Sequence, residues 1–390
     1  MIFSRRDLLR YSLALSSAIS VSTVFTGCAR TSQREALSAA RFTHGVASGD
    51  PQADALMLWT RVEGDGEGEL RVAWELASDP DFNQVLRDGE VLTGSAQDNT
   101  VKVDVRDLAP GTEYFYRFLT RDSMSPAGRG KTLPEGRVDS LRMGVFSCSN
   151  YPAGYFHAYR EASELPDVDV FLHLGDYFYE YGMGGYATDR AEELGRALPA
   201  DNAGELYTLQ DYRRRYALYR SDADLQAMHA AAPMIAVWDD HEIANDTWLH
   251  GAQNHSPDEG EFEQRKAAAI QAYFEWLPLR PVQPDRTGRI YRRFDFGDLL
   301  SLHMLDTRLI GRDRQLEYAH YIDRDSGQLD SDRFREDISD GARSLLGMEQ
   351  REWLYAGLAD SSALWQVLGQ QVLMARMTMP VVLLQQMFAG

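Results

Sequence analysis

The sequence predicts an α/β chain, α+β overall, in which a small β-sandwich over residues 41–134 precedes a layered α/β domain over residues 139–390. Three observations carry that prediction. Between Phe42 and Leu133 the apolar residues fall in short β-branched and aromatic runs divided by Gly, Asp and Pro turns. Beyond Arg137 the period changes, and strand-like runs alternate with helical ones. Two of these later runs end in acid-rich segments. One closes in His173-Leu174-Gly175-Asp176-Tyr177-Phe178-Tyr179, and Met234-Ile235-Ala236-Val237-Trp238 leads into Asp239-Asp240-His241-Glu242. Open α/β sheets bind ligands beyond the carboxyl ends of their strands, so carboxylates, a phenol and an imidazole delivered there by separate strands make a candidate metal centre.

In the first part the predicted strands are 56–62, 70–75, 100–105 and 114–118. The string Leu108-Ala109-Pro110-Gly111-Thr112-Glu113-Tyr114-Phe115-Tyr116 resembles the end of a fibronectin type III domain, where a Pro-Gly turn leads into an aromatic strand. Tyr114 and Tyr116 share a strand face and are expected in the sandwich core rather than at a ligand. Residues 132–137 read as a linker. Strands then follow at 141–147, 168–174, 234–238, 299–305 and 364–368. Helices are predicted at 154–164, at 210–231 ahead of Pro233, at 261–276 and at 348–358.

A chain of 390 residues, 44% hydrophobic and 25% charged, is long enough for two cores. Its formal net charge of −19 repels DNA and anionic lipid, which argues against sequence-specific nucleic-acid binding. A phosphate group would have to be drawn in by local cations or bound metal. At the amino terminus, Ser4-Arg5-Arg6-Asp7-Leu8-Leu9-Arg10 followed by a mild apolar stretch over 11–24 matches a twin-arginine export signal. Ser12, Ser16, Ser17, Ser20 and Ser22 dilute that stretch, which falls short of the ~20 apolar residues that span a bilayer. Phe25-Thr26-Gly27-Cys28 reads as a lipoprotein processing site with Cys28 acylated, and ordinary signal cleavage is the alternative. Residues 1–28 are thus the expected signal and 29–40 a polar tether. The twin-arginine translocase is the expected partner in export, and the periplasm or cell envelope the expected location. Cys28 and Cys148 are the two cysteines, so no intramolecular disulfide is expected once Cys28 is lipidated or removed.

A family resemblance now has its residues. Phe42-Thr43-His44-Gly45-Val46-Ala47-Ser48-Gly49-Asp50-Pro51, Phe146-Ser147-Cys148-Ser149-Asn150, Gly175-Asp176-Tyr177-Phe178-Tyr179-Glu180, Trp238-Asp239-Asp240-His241-Glu242 and Leu305-Asp306-Thr307-Arg308 together, in this order, resemble the PhoD family of alkaline phosphatases. The resemblance implies a β-sandwich fused to a calcineurin-like metallophosphoesterase domain of α/β/β/α layers. It also implies a mixed Fe3+ and Ca2+ centre, other divalent metals being possible occupants, that acts on phosphomonoesters and some phosphodiesters, phospholipid head groups and nucleotides among them. Attack by a metal-activated hydroxide is the implied reaction. Neither a Gly-x-Ser-x-Gly elbow nor a Walker loop is present to suggest a serine esterase or a nucleotide-driven activity.

Chemistry sorts the candidates. Cys148, at the end of the first α/β strand, offers a thiolate to a transition metal in a pocket that lowers its pKa, or is a small buried hydrophobe; the resemblance makes it an iron ligand. Asp176 has two oxygens that can bridge two cations, against a bland reading as a helix cap. Tyr179 alone would read as a packed aromatic, and the resemblance makes it a phenolate ligand to ferric iron. Asp240 is the candidate ligand of a harder cation and His241 the group that faces phosphate and protonates the leaving oxygen. Asp239 or Glu242 is expected to orient that imidazole. Asn245, with Asp246, either completes the oxygen set or caps a helix. Arg308 offers a bidentate clamp for phosphate, or pairs with Asp306 or another carboxylate. His44, His157, His173, His229, His250, His255, His303 and His320 lack metal spacing, and His173 is expected to be buried and hydrogen-bonded.

The resemblance also implies further strands after residues 364–371, with a Gly-Asp-x-His segment supplying the remaining ligands. No histidine follows His320, so the metallophosphoesterase domain is expected to be incomplete. The alternative expectation is therefore an inactive envelope lipoprotein or fragment whose sandwich binds a partner. The stretch 182–202, rich in Gly, Ala, Asp and Arg, reads as a long loop over the site.

Overall fold

A computed structural model describes residues 37–64, 68–281, 288–323 and 326–375. The export motif, Cys28 and residues 29–36 of the tether lie outside the described residues, as does the segment 376–390. In chain order the first part contains β1 (Ala40–Gly49), β2 (Leu56–Gly64), β3 (Leu70–Ala77), β4 (Val85–Thr93), β5 (Thr100–Val105), β6 (Glu113–Leu119) and β7 (Gly128–Lys131). The second contains β8 (Met143–Phe146), α1 (His157–Ser163), β9 (Val170–His173), α2 (Leu209–Arg220), α3 (Ala223–Ala231), β10 (Met234–Ala236) and α4 (Phe262–Trp276). It continues with β11 (Arg292–Phe296), β12 (Leu300–Met304), α5 (Ser331–Ile338), α6 (Gly347–Asp360) and β13 (Trp365–Gly369).

The sandwich pairs β4-β3-β6-β7 against β5-β2-β1, as expected, and Tyr114 and Tyr116 lie in its core with Leu56, Leu58, Val72 and Phe118. The sheet does not stop at the domain boundary. Gly49 of β1 pairs parallel with Met234 of β10, so the order β5-β2-β1-β10-β9-β8 runs through both parts. This explains why β2 reads Leu-Met-Leu-Trp without alternation: Leu56 and Leu58 face the sandwich core, while Trp59 joins the α/β core and donates its Nε1–H to Glu275 O at 2.8 Å. Gly49 is required at the join, because a Cβ there would come within 2.7 Å of Met234 O. Asp50 beside it is buried against Arg292 (Nη2–Oδ1 2.5 Å) and accepts the Arg280 backbone N–H (2.8 Å). The Gly-Asp-Pro of the sequence motif is therefore a structural seam.

The α/β part is layered. Leu300, Leu302 and Met304 of β12 point into the core shared with β9, β10, α2 and α4, whereas His303 points the other way, against Trp353 of α6. Those layers run helices, sheet, sheet, helix. The predicted helix 210–231 is two helices: the Asp222 side chain accepts from the backbone N–H groups of Asp224 and Leu225, ending α2 and capping α3, and pairs with Arg196 at 2.6 Å. Sequence periodicity continues through a break made by one local cap. Strands β1, β4, β7 and β11 and helix α5 add to the expected elements.

Candidate metal centre

Four loops converge at the carboxyl ends of β8, β9, β10 and β12. After β8 and β9 the backbones stay paired, Cys148 N donating to Gly175 O (3.1 Å) and Ser149 N to Asp176 O (2.8 Å). Gly175 has φ +107°, and a Cβ there would lie 2.5 Å from Asp239 Cβ, so the β9 loop passes directly over the β10 loop. Cys148 (φ 60°), Asp176 (φ 53°) and Asp246 (φ 51°) also hold left-handed conformations that cost non-glycine residues energy and cluster at functional sites. No helix follows Asp176 or Asn245, only turns, so neither residue is a helix cap.

Asp176, Asp240 and His241 offer ligand atoms that all lie within 4.8 Å of one another. Around Asp176 Oδ2 stand the Cys148 thiol (3.5 Å) and the Tyr179 hydroxyl (3.3 Å). Asp176 Oδ1 is buried without a hydrogen-bond partner among the described residues. Arg308 donates Nε–H to Asp239 (2.6 Å) and pairs with Asp240 (3.2 Å) and Asp246 (3.6 Å), while Asp306 caps the Arg308 and Leu309 backbone instead. Its partner is thus another carboxylate and not Asp306. Asn245 donates its backbone N–H to Glu180 (2.7 Å) and its side-chain amide to Gln253 (2.9 Å).

Two expectations need correction. His241 is oriented neither by Asp239 nor by Glu242 but by Glu180, whose Oε2 accepts Nδ1–H at 2.7 Å. Glu180 is fully buried, one residue beyond Tyr179, and appears in the sequence motif without a role. Glu242 instead accepts the backbone N–H groups of Asp176 (3.1 Å), Tyr177 (2.6 Å) and Asp239 (2.9 Å), tying the two acidic loops together. Alternation could not find either partner, because both bonds cross between loops from different strands. The Cys148 thiol, expected to have a lowered pKa, is pushed up by partial burial and by the Asp176 carboxylate, since its charged neighbour is an anion.

The site is short of positive charge. Burial raises the Asp176 carboxyl, with Asp240 adding to it; burial raises Asp239 to about 7 despite Arg308, and Glu242 to about 8, with Asp176 adding to it. Burial would depress the His241 imidazolium, but Glu180, Asp240 and Asp176 outweigh it and hold it at about 9. Crowded carboxylates, an unpartnered buried oxygen, a thiol, a phenol and an imidazole form a donor set that fits one or more cations, with sulfur and phenol suited to a transition metal and oxygen to a harder ion.

A parallel-stranded α/β domain with this donor set at its strand ends defines the class, a candidate metal-centre protein. Family comparison narrows it. The model of the PhoD-like phosphatase family matches residues 143–387, and that of the PhoD-like phosphatase N-terminal domain matches 27–134. The chain belongs to the PhoD-like phosphatase family. It is 40% identical over 352 residues to alkaline phosphatase D of Bacillus subtilis (strain 168), covering 86% of this chain and 56% of that protein. A solved structure described as the structure of PhoD superposes with a TM-score of 0.72 at 38% identity, over 86% of this chain and 63% of that one. The chain thus spans little more than half the length of the curated relative it matches.

Proposed function

We propose that the chain acts as a metal-dependent phosphoester hydrolase of the alkaline phosphatase D type on phosphomonoesters, with phosphodiesters as further substrates. Family membership supports the reaction class, and the observation that carries it here is the unpartnered, buried Asp176 Oδ1 in a cluster with Asp240 and His241. Cys148, Asp176 and Tyr179 would hold one cation, a ferric ion in this reading, and Asp176 with Asp240 a harder one such as calcium. Bound cations would neutralise the phosphoryl oxygens and acidify the attacking water. The chain's own residues do the rest. Glu180 holds Nδ1–H of His241, which leaves Nε2 to give a proton to the leaving oxygen. Arg308, pinned by Asp239 and Asp240, has a buried Nη1 that makes no hydrogen bond and lies 3.6 Å from Asp246, and this group would serve a non-bridging phosphoryl oxygen. Tyr179 and Tyr181 pack against the His241 ring, at 4.2 and 5.4 Å between centroids, and shield it from water. Export by the twin-arginine route to the cell envelope, with or without acylation of Cys28, belongs to the same reading and rests on the motif at Arg5 and Arg6.

The test couples elemental analysis of the purified chain to hydrolysis of an aryl phosphate with and without added calcium. Iron in the protein and calcium-dependent turnover are expected, and Asp176→Asn should remove both bound metal and at least about 99% of the activity, because that carboxylate would be a ligand in both cation sets. A folded chain that takes up no metal and hydrolyses nothing would sink the proposal.

A further inference from the structure

Four rings line one side of the centre. Tyr179 packs against His241, Tyr181 lies beside both His241 and Tyr186, and Tyr186 continues the row outwards, stacked on Tyr179 at 5.7 Å and 28°. The first three are enclosed to different degrees, but Tyr186 is 61% exposed. The exposed Tyr186 ring is thus held in a stack and does not stand free. Its loop is held from two sides. The Tyr186 carbonyl accepts from Asn150 Nδ2 (3.4 Å), two residues after Cys148, and Thr188 Oγ1 accepts the Gly184 N–H (3.0 Å) while donating to Gly185 O (3.0 Å). Within the segment 182–202 these bonds shape the turn at residues 184–188 and set the Tyr186 ring beside Tyr179.

We propose that Tyr186 forms an aromatic subsite that stacks the planar ring of a leaving group, so that the centre prefers esters whose phosphorus lies next to an aryl or heteroaryl group over alkyl esters. The inference rests on the phosphoester reading and deepens it. Tyr179 anchors the platform on the side of the carboxylates, and the ring face of Tyr186 turned away from it is open to a ligand. Tyr186 acts on binding of the leaving group and takes no part in bond breaking.

Non-hydrolysable phosphonates separate the two ideas. Phenylphosphonate and methylphosphonate share the charged head and differ in the ring, and their dissociation constants are measured by calorimetry on the purified chain. Phenylphosphonate is expected to bind about tenfold more tightly, Tyr186→Ala to erase most of that ratio by weakening the phenyl compound alone, and Tyr186→Phe to keep it. A ratio unchanged in Tyr186→Ala, or an equal fall for both compounds as a collapsed loop would cause, overturns the subsite and leaves the phosphoester centre standing. Failure of the unaltered chain to bind either phosphonate overturns both readings.

Discussion

At the residue scale, the centre is governed by who holds whom across loops. Asp176, Asp240 and His241 were readable from their positions after two apolar runs, since strand ends are where such groups gather. Glu180 was not, because a carboxylate next to an aromatic in a loop has no periodicity to assign it; its function follows from the 2.7 Å bond to His241 and from accepting the Asn245 N–H with its other oxygen. Glu180→Gln keeps the shape and the Asn245 bond but withdraws the charge that helps His241 carry protons on both nitrogens. The expected result is a kcat about 10- to 100-fold lower in the variant that remains folded at the assay temperature. A change confined to KM in steady-state kinetics would assign Glu180 to substrate binding instead.

At the element scale, the seam between β1 and β10 links the two parts. Asp50 is 1% exposed and neutralises Arg292, whose Nη2 also donates to Ala236 O at the end of β10. Removing the carboxylate strands a buried guanidinium, and breaking one partner of a buried pair costs about 3–5 kcal/mol. Asp50→Ala should therefore lower the urea midpoint markedly, while Asp54→Ala nearby should not; equal midpoints for the two variants would refute the seam. The change of period after residues 132–137 was legible in the sequence, and the continuity of the sheet through both parts was not. A single parallel contact such as Gly49 to Met234 joins segments far apart in sequence and leaves no local pattern. The break between α2 and α3 was missed for the opposite reason: Asp222 is a strong local cap, but the apolar positions on both sides keep helical spacing.

At the scale of the whole molecule, buried imidazoles make the fold sensitive to acid. Burial depresses His44 to about 3, Arg61 adding to it, and burial alone depresses His173 to about 3. Unfolded imidazoles titrate near 6.5, so the stability these groups contribute is complete above that pH and is lost as pH falls towards 3, by about 1.4 kcal/mol per pH unit for each. Asp239 and Glu242, raised in the fold, act in the opposite sense above about pH 4, where the unfolded carboxylates begin to ionise. The imidazole effect is therefore read as the difference between variant and parent from about pH 5.5 to about pH 4, where the unfolded imidazole is charged and the folded one is not. His44→Gln should reduce the steepness of the loss of unfolding free energy over that interval by about 1.4 kcal/mol per pH unit, measured by urea titration with tryptophan fluorescence. An unchanged slope would show that His44 is protonated in the folded chain.

The sequence by itself determined what depends on neighbours along the chain: strands β2, β3, β5 and β6 of the sandwich, strands β8, β9, β10, β12 and β13 of the α/β part, and the acid-rich strand ends that hold Asp176, Asp240 and His241. Only the tertiary structure decided that one sheet runs through both parts, that Glu180 rather than Asp239 or Glu242 holds the imidazole, that Asn245 turns its amide to Gln253, and that Tyr186 stands stacked yet open at the mouth. Local propensity acts over a few residues, whereas each of these features is a contact between side chains or strands that meet only when separate loops close over the same sheet.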